Sequence, residues 1–374
     1  MKRVLFGGYA PVHVLCFLPV YRRLASDPRI EVFFTGGFWR VRDDPTFELD
    51  GFYDPFPVDP DRVIPIEQAR TEDYDVLVCA HLSDRLFPRS AHRKVQIYHG
   101  VSFKNLSVRE KALRYDFLCL PGRYHAELYR RDGLVRPDES TCLITGFPKT
   151  DPLAGPSLDR DAVLREAGLD PCRPTILFAP TGEKHNALEA MGEEVIRAIA
   201  GHGSWNLLVK PHDHPKNRID WFERLAAFEK GAVRLVRDLD VIPYLHAADV
   251  LLTDASSVAV EYTLLDRPIV FLDVPKLFDR IRKRAPALDL DTYGRKIGAV
   301  VKSPEDLVDA LADGLAHPHR EQEIRRRMAA HVFHAPGSAA QRVAEVVRHA
   351  ADLAPDLPDG VEVVRPQVKP APLC

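Results

Sequence analysis

The stretch DVLLTDASSVAVE, residues 249–261, decides how the rest of the chain is read. An apolar run ends in Thr253-Asp254-Ala255-Ser256-Ser257, and a second apolar segment with helical spacing follows at once. A strand that stops at small hydroxyl residues and passes directly into a helix is the repeating joint of a parallel α/β sheet. Ser256 and Ser257 suit the cap of that helix. The free N–H groups of a first helical turn favour a phosphate, and Glu261, one turn on, suits ribose hydroxyls. Taken alone, the same turn serves equally as an ordinary capped helix.

Working outward, the pattern repeats on both sides. Residues 175–179, 206–209, 233–236, 250–253 and 269–272 are short apolar runs of strand type, with helical spacing between them over 189–200, 221–230, 241–247 and 258–265. Upstream, 3–6, 30–34, 75–80, 94–98, 117–120 and 142–145 form a second set, with a helical segment over 11–24. Strands alternating with helices predict parallel sheets covered on both faces. The fold class is therefore α/β, with two Rossmann-like doubly wound domains facing across a cleft. The expected limits are 1–151 for an acceptor-side domain, 152–174 for a proline-bounded linker and 175–337 for a nucleotide-donor domain. A terminal helix over 338–353 and a proline-rich, extended tail over 354–374 complete the chain. Residues 39–70 are expected to be mainly loops.

Ligands of such sheets bind beyond the carboxyl ends of the strands, so residues just past each run are the candidates. Lys210-Pro211-His212 ends one strand. Proline fixes that turn, and His212 is suited to give a hydrogen bond or proton to a phosphate oxygen. His214 is a weaker candidate, and no third ligand accompanies the pair to suggest a metal. In the first half, Tyr98-His99-Gly100 repeats the logic. His99 is placed to take a proton from a hydroxyl, Gly100 to let the backbone approach a ligand, and Lys104 to meet an anion. A strand-end histidine also serves as a hydrogen-bonded structural residue. His13, at the start of the first helix after Gly7-Gly8, faces the same expected cleft.

Composition excludes several classes. The 374 residues include 45% hydrophobic and 28% charged, with a formal net charge of −3, so no global basic field draws nucleic acid. The six cysteines lack C-x-x-C spacing, and several sit in apolar runs, as expected of reduced thiols in the cytoplasm. No secretory signal or bilayer-spanning run is read. Two basic runs, 276–284 and 325–327, are solvated helix faces or a patch for the inner membrane face. The chain lacks G-x-G-x-x-G, the Walker A pattern and G-x-S-x-G, which argues against a dinucleotide oxidoreductase, a P-loop NTPase and an elbow-type serine hydrolase.

In order and spacing, these pieces resemble the CDP-glycerol glycerophosphotransferase family of teichoic-acid primases and polymerases. The matching segments are Tyr98-His99-Gly100 with Lys104, Thr145-Gly146-Phe147-Pro148-Lys149-Thr150-Asp151, Ala179-Pro180-Thr181, Lys210-Pro211-His212, Thr253-Asp254-Ala255-Ser256-Ser257 and Arg267-Pro268-Ile269. The last is Gly337-Ser338-Ala339 with Arg342. The resemblance implies a GT-B fold and transfer of an alditol phosphate from a CDP-linked donor to a hydroxyl, with release of CMP and no further cofactor or metal. It implies His99 as general base and His212 on the donor phosphates. It further implies Thr181, Lys210, Thr253, Asp254, Ser256 and Ser257 around the donor, with Glu261 on the ribose and His13, Gly100 and Lys104 on the acceptor side. The acceptor would be a polymer end, a lipid-linked sugar or a small alditol. Two positions depart from the family pattern: Gly182-Glu183 stand where Trp-Arg is usual, and Pro336 replaces an aspartate. A UDP-sugar glycosyltransferase or 2-epimerase of the same fold, and a non-catalytic nucleotide-sugar binder, are the competing readings.

Overall fold

The computed structural model describes residues 1–39, 46–212, 219–285 and 288–366. The chain forms two compact units. The first comprises Met1–His99, Ser107–Asp151 and His331–Cys374, and the second Gly100–Leu106 and Pro152–Ala330.

The first unit is built on β1 (Lys2–Gly8), β2 (Ile30–Gly36), β5 (Asp73–Cys79), β6 (Ser90–Gln96), β7 (Phe117–Leu120) and β8 (Thr141–Ile144), with a small hairpin of β3 (Phe38–Trp39) and β4 (Phe47–Glu48) beside them. The second is built on β9 (Thr175–Phe178), β10 (Asn206–Val209), β11 (Val233–Leu235), β12 (Val250–Thr253), β13 (Ile269–Leu272) and β14 (Ala299–Val301). A last strand, β15 (Glu362–Val363), returns to the first sheet. The first sheet runs β15-β8-β7-β6-β5-β1-β2 and the second β11-β10-β9-β12-β13-β14. All pairs are parallel except β15 with β8 and the hairpin. Strands β9, β10, β12 and β13 are buried along their whole length, because helices cover both faces.

Each sheet reverses direction once. In the first, the chain builds outward from β1 to β2 and then continues from β5, on the other side of β1. In the second, it builds from β9 through β10 to β11 and then continues from β12, on the other side of β9. The loops after β1 and β5, and after β9 and β12, thus diverge at the two topological switch points, where sheets of this kind leave a crevice for ligands.

Several expected boundaries are corrected. Residues 152–174 are no linker. They carry the helix Arg160–Glu166, capped by Asp159, and belong to the second unit. The terminal helix Ala339–Ala350 is not a separate element but packs on the helix Pro11–Leu24 of the first unit. Its own cap residue, Ser338, makes no side-chain cap bond. The Asp151 carboxylate accepts from the N–H groups of Gly337, Ala339 and Ala340 at 3.0, 2.9 and 2.7 Å instead. A carboxylate at a helix N-terminus satisfies the orphan donors there. Gly146 is required nearby: its φ is +92°, and a Cβ would stand 2.6 Å from the His334 carbonyl oxygen. The tail contributes an extended piece, β15, that pairs with β8.

The two basic runs are also partly committed. In the helix Pro275–Arg284, Leu277, Phe278 and Ile281 are buried and Arg284 pairs with Glu183. Arg325 is fully buried and pairs with Asp266, as does Arg326. Among the described residues no helix is long and apolar enough to cross a membrane. Cys16, Cys79, Cys119, Cys142 and Cys172 are free thiols, the first four buried.

Candidate functional site

In the second unit the two loops at the switch point are tied together by Asp254. This carboxylate is fully buried. Its Oδ1 accepts from the N–H of Thr181 at 2.8 Å and of Ala255 at 2.6 Å, and its Oδ2 from the N–H of Ala187 at 2.9 Å. Burial pushes the carboxyl above its ordinary pKa, while the three N–H donors and Lys104 pull it down. Thr253 is likewise buried and donates its hydroxyl to the Ala179 carbonyl at 2.7 Å. The expectation that Thr253 and Asp254 face the donor is therefore corrected. Both hold the β9 and β12 loops in register and spend their polar atoms on backbone. Glu261 is fully buried within the helix Val258–Tyr262.

Beside the tied loops lies a set of hydroxyls and cations. Ser257 occupies the cap position of the five-residue helix Val258–Tyr262 without a side-chain cap bond, against the capping expectation, and Ser256 precedes it at 4% exposure. Gly100 lies against this turn: a Cβ there would meet Ser257 Oγ at 3.7 Å. That is ordinary contact distance, so the glycine is not forced by the backbone. Lys104 follows on the same segment, and its Nζ donates to Thr181 Oγ1 at 3.4 Å. Gly100 and Lys104 thus belong to the second unit and not to the first, which was expected to be the acceptor side. Burial lowers the Lys104 pKa, with Glu183 and Asp254 opposing that shift and Arg284 adding to it.

Glu183 was not anticipated as a site residue. It accepts from Arg284 Nη1 at 2.6 Å and lies 3.5 Å from Arg280 Nε. The spacing of Arg280 and Arg284, four apart on one helical face, was the available signal. Beyond β10, Lys210 is buried at 6% exposure with its Nζ 3.4 Å from the Pro211 carbonyl, whereas His212 is exposed. His214 lies outside the described residues. No group of three or more His, Cys, Asp or Glu among the described residues could hold a metal ion.

In the first unit His99 follows β6. Its Nδ1 lies 2.5 Å from the Ala80 carbonyl oxygen, which fixes the proton on Nδ1 and leaves Nε2 as a lone pair. Burial lowers its pKa below 6.5, the Lys149 charge lowers it further, and the Ala80 carbonyl opposes both. His13 is buried beside it, with ring centroids 5.0 Å apart. Gly7 and Gly8 are part of β1 itself, not a phosphate turn. Their lack of a side chain lets β1 approach Cys79 and His13, for a Cβ on Gly8 would stand 3.3 Å from the Cβ of His13. Tyr9 and His81, also at this switch point, were missed. His81 stands two residues past β5, the kind of position that singled out His99.

The sequence profile described as CDP-glycerol:poly(glycerophosphate) glycerophosphotransferase matches residues 73–349, which takes in the whole second unit and about half of the first. The chain belongs to this glycerophosphotransferase family. A teichoic acid glycerol-phosphate transferase of Staphylococcus aureus is 25% identical over 256 residues, 60% of this chain and 62% of that protein. A teichoic acid poly(glycerol phosphate) polymerase of Staphylococcus epidermidis is 23% identical over 253 residues, 57% of this chain and 31% of that protein. The chain thus spans from about a third to about three-fifths of the length of the curated relatives it matches. Among solved structures, a variant of the wall teichoic acid polymerase TagF superposes with a TM-score of 0.69 at 17% identity, covering 94% of this chain and 89% of that one. A putative UDP-N-acetylglucosamine 2-epimerase from Listeria monocytogenes reaches 0.59, also at 17% identity, covering 96% and 99%. These likenesses establish a GT-B-like fold for the glycerophosphotransferase chain.

Proposed function

We propose that this glycerophosphotransferase moves glycerol phosphate from CDP-glycerol to a hydroxyl acceptor and releases CMP, in the synthesis of a cell-surface polymer. The observation that carries the reading is the His99 tautomer. Its Nδ1–H is bound by Ala80 and its Nε2 is left as a base. The acceptor O–H gives its proton to Nε2, the oxygen attacks the glycerol-bearing phosphorus, and the P–O bond to CMP breaks in line. Such a displacement needs mainly positioning and charge stabilisation.

Lys104, Thr181, Ser256 and Ser257 are the groups we assign to the donor phosphates, with His212 giving a further hydrogen bond. Gly100, in the same unit, lies beside Ser257. Lys210, nearly buried, acts in this reading on the turn that carries His212. Free thiols fit a reducing compartment, so the reaction is assigned to the cytoplasm, with Lys276, Arg282 and Lys283 as the exposed cations available to the inner membrane face.

The test is CMP release from CDP-glycerol, with CDP-ribitol and UDP-N-acetylglucosamine as alternative donors. His99→Ala should reduce transfer by roughly 10²–10⁴-fold while nucleotide still binds. UDP-sugar turnover that survives both His99→Ala and His212→Ala, with no CMP formed from either CDP-alditol, would overturn the proposal.

A further inference from the structure

Three imidazoles and a tyrosine meet at the switch point of the first sheet, and the proposed reaction uses only one of them as a base. Tyr9 and His13 follow β1, His81 follows β5 and His99 follows β6. The His13 ring lies 5.0 Å from that of His99 and 5.2 Å from that of His81, while Tyr9 lies 4.5 Å from His13 and 4.6 Å from His81. Each Nδ1 is committed to the backbone, but not in the same sense. His13 accepts from the Tyr9 N–H at 3.2 Å and His81 from the Ser83 N–H at 3.1 Å, whereas His99 faces the Ala80 carbonyl. A neutral imidazole has one N–H and one lone pair. His13 and His81 therefore carry their proton on Nε2, and His99 carries its own on Nδ1. Burial keeps the first two neutral, holding His81 down at about 3.

His81 is the anomaly. It is 1% exposed, and its Nε2 has no hydrogen-bond partner among the described residues. The Gly7 backbone is near enough to raise its pKa as a hydrogen-bonding group, yet no contact of Nε2 reaches hydrogen-bond distance and angle. An unpaired buried donor is destabilising, so its presence at a ligand crevice calls for a reason.

We propose that His13 and His81 form the acceptor-hydroxyl subsite, donating their Nε2–H groups to the oxygen whose proton His99 takes. The inference rests on His99 being the base of the proposed reaction. Two donors and one acceptor match a hydroxyl, which accepts two hydrogen bonds and gives one. An anionic oxygen would satisfy His13 and His81 but has no proton to give His99. The Tyr9 ring lies against that of His81, and in this reading it turns aside as the acceptor enters.

The experiment compares His81→Leu, which removes the donor, with His81→Gln, which restores an N–H near the position of Nε2. A synthetic lipid-tailed glycerol phosphate with one free primary hydroxyl serves as acceptor and CDP-glycerol as donor. CMP release to water without acceptor is the control. His81→Leu should raise the acceptor KM about 10–100-fold and be rescued to within about threefold by His81→Gln. An unchanged acceptor KM in His81→Leu overturns the subsite. So does equal impairment of both variants together with a common fall in melting temperature, which is the mark of a packing residue. If the wild type releases no CMP under any condition, the donor reading has failed, and the subsite is then decided by NMR of ¹⁵N-histidine-labelled protein. His13 and His81 as Nε2–H tautomers, with the His81 signal shifted by glycerol 3-phosphate, support it. A His81 proton on Nδ1, or no shift, overturns it.

Discussion

Replacing Asp254 separates a residue that holds the site from one that touches the ligand. The carboxylate accepts three backbone N–H groups in a fully buried position. In Asp254→Asn, the amide oxygen keeps Thr181 and Ala255, but the amide nitrogen now faces the N–H of Ala187, and one buried donor loses its acceptor at about 1–3 kcal/mol. Asp254→Ala strands all three, and because neighbouring effects are not additive the cost is on the order of 3–6 kcal/mol. For a cooperative unit of this size each kcal/mol lowers the melting temperature by roughly 2–4 °C. The asparagine variant should thus melt roughly 2–12 °C lower, and the alanine variant at least as low again. Differential scanning calorimetry measures this directly, and amide exchange should show early loss of protection at Thr181 and Ala187. Isothermal titration with CMP should show the asparagine variant weakened several-fold but saturable at the same stoichiometry, because the loop carrying Thr181 loosens without losing a ligand contact. An asparagine variant with unchanged melting behaviour and abolished CMP binding would refute this account and return Asp254 to the ligand surface.

Four further outcomes follow from the same geometry. The base form of His99 is the neutral one, and its pKa lies below 6.5; a lowered pKa keeps it neutral to lower pH, so the acid limb of kcat/KM should fall below pH 6.5. Lys149→Met, which removes a charge that lowers that pKa, should move the limb upward in a pH–rate profile. Lys104→Met removes the cation beside Thr181 and should raise the donor KM by about 10–100-fold, read from initial rates against CDP-glycerol. Glu183→Gln deletes a carboxylate that competes for Arg284 and repels a pyrophosphate. Nucleotide affinity should rise about five-fold, for roughly 1 kcal/mol across a screened few ångströms, and thermal stability should change by less than about 1 kcal/mol, because Arg284 is half exposed.

The strands of both sheets were legible because each is a short apolar run closed by turn residues, and buried parallel strands need little else. Chain crossings were not. Residues 100–106 leave the first unit for seven positions and residues 331–374 return to it from the far end. Neither move has a local signature, since each is fixed by contacts remote in sequence, such as Asp151 with the helix starting at Ala339. For that reason Gly100 and Lys104 were expected in the first unit.

Side-chain direction was the other blind spot. A polar residue at a strand end can face a ligand or brace the neighbouring loop, and spacing alone does not distinguish these. Asp254 braces because the β9 loop brings the Thr181 and Ala187 N–H groups to it, a fact about β9 and not about the stretch 249–261. The same ambiguity runs through the histidines. His81 and His99 both stand just past parallel neighbouring strands, yet the backbone gives one a donor and the other an acceptor at Nδ1. Their chemistry is opposite although their residue type and position are alike. What makes His99 a base is the Ala80 carbonyl, contributed by the loop after β5, and what makes His81 a donor is the Ser83 N–H two residues on. The division of labour at this switch point is therefore written in backbone groups that a motif does not name, and it is the tautomers, more than the histidines themselves, that the experiments on His81 and His99 interrogate.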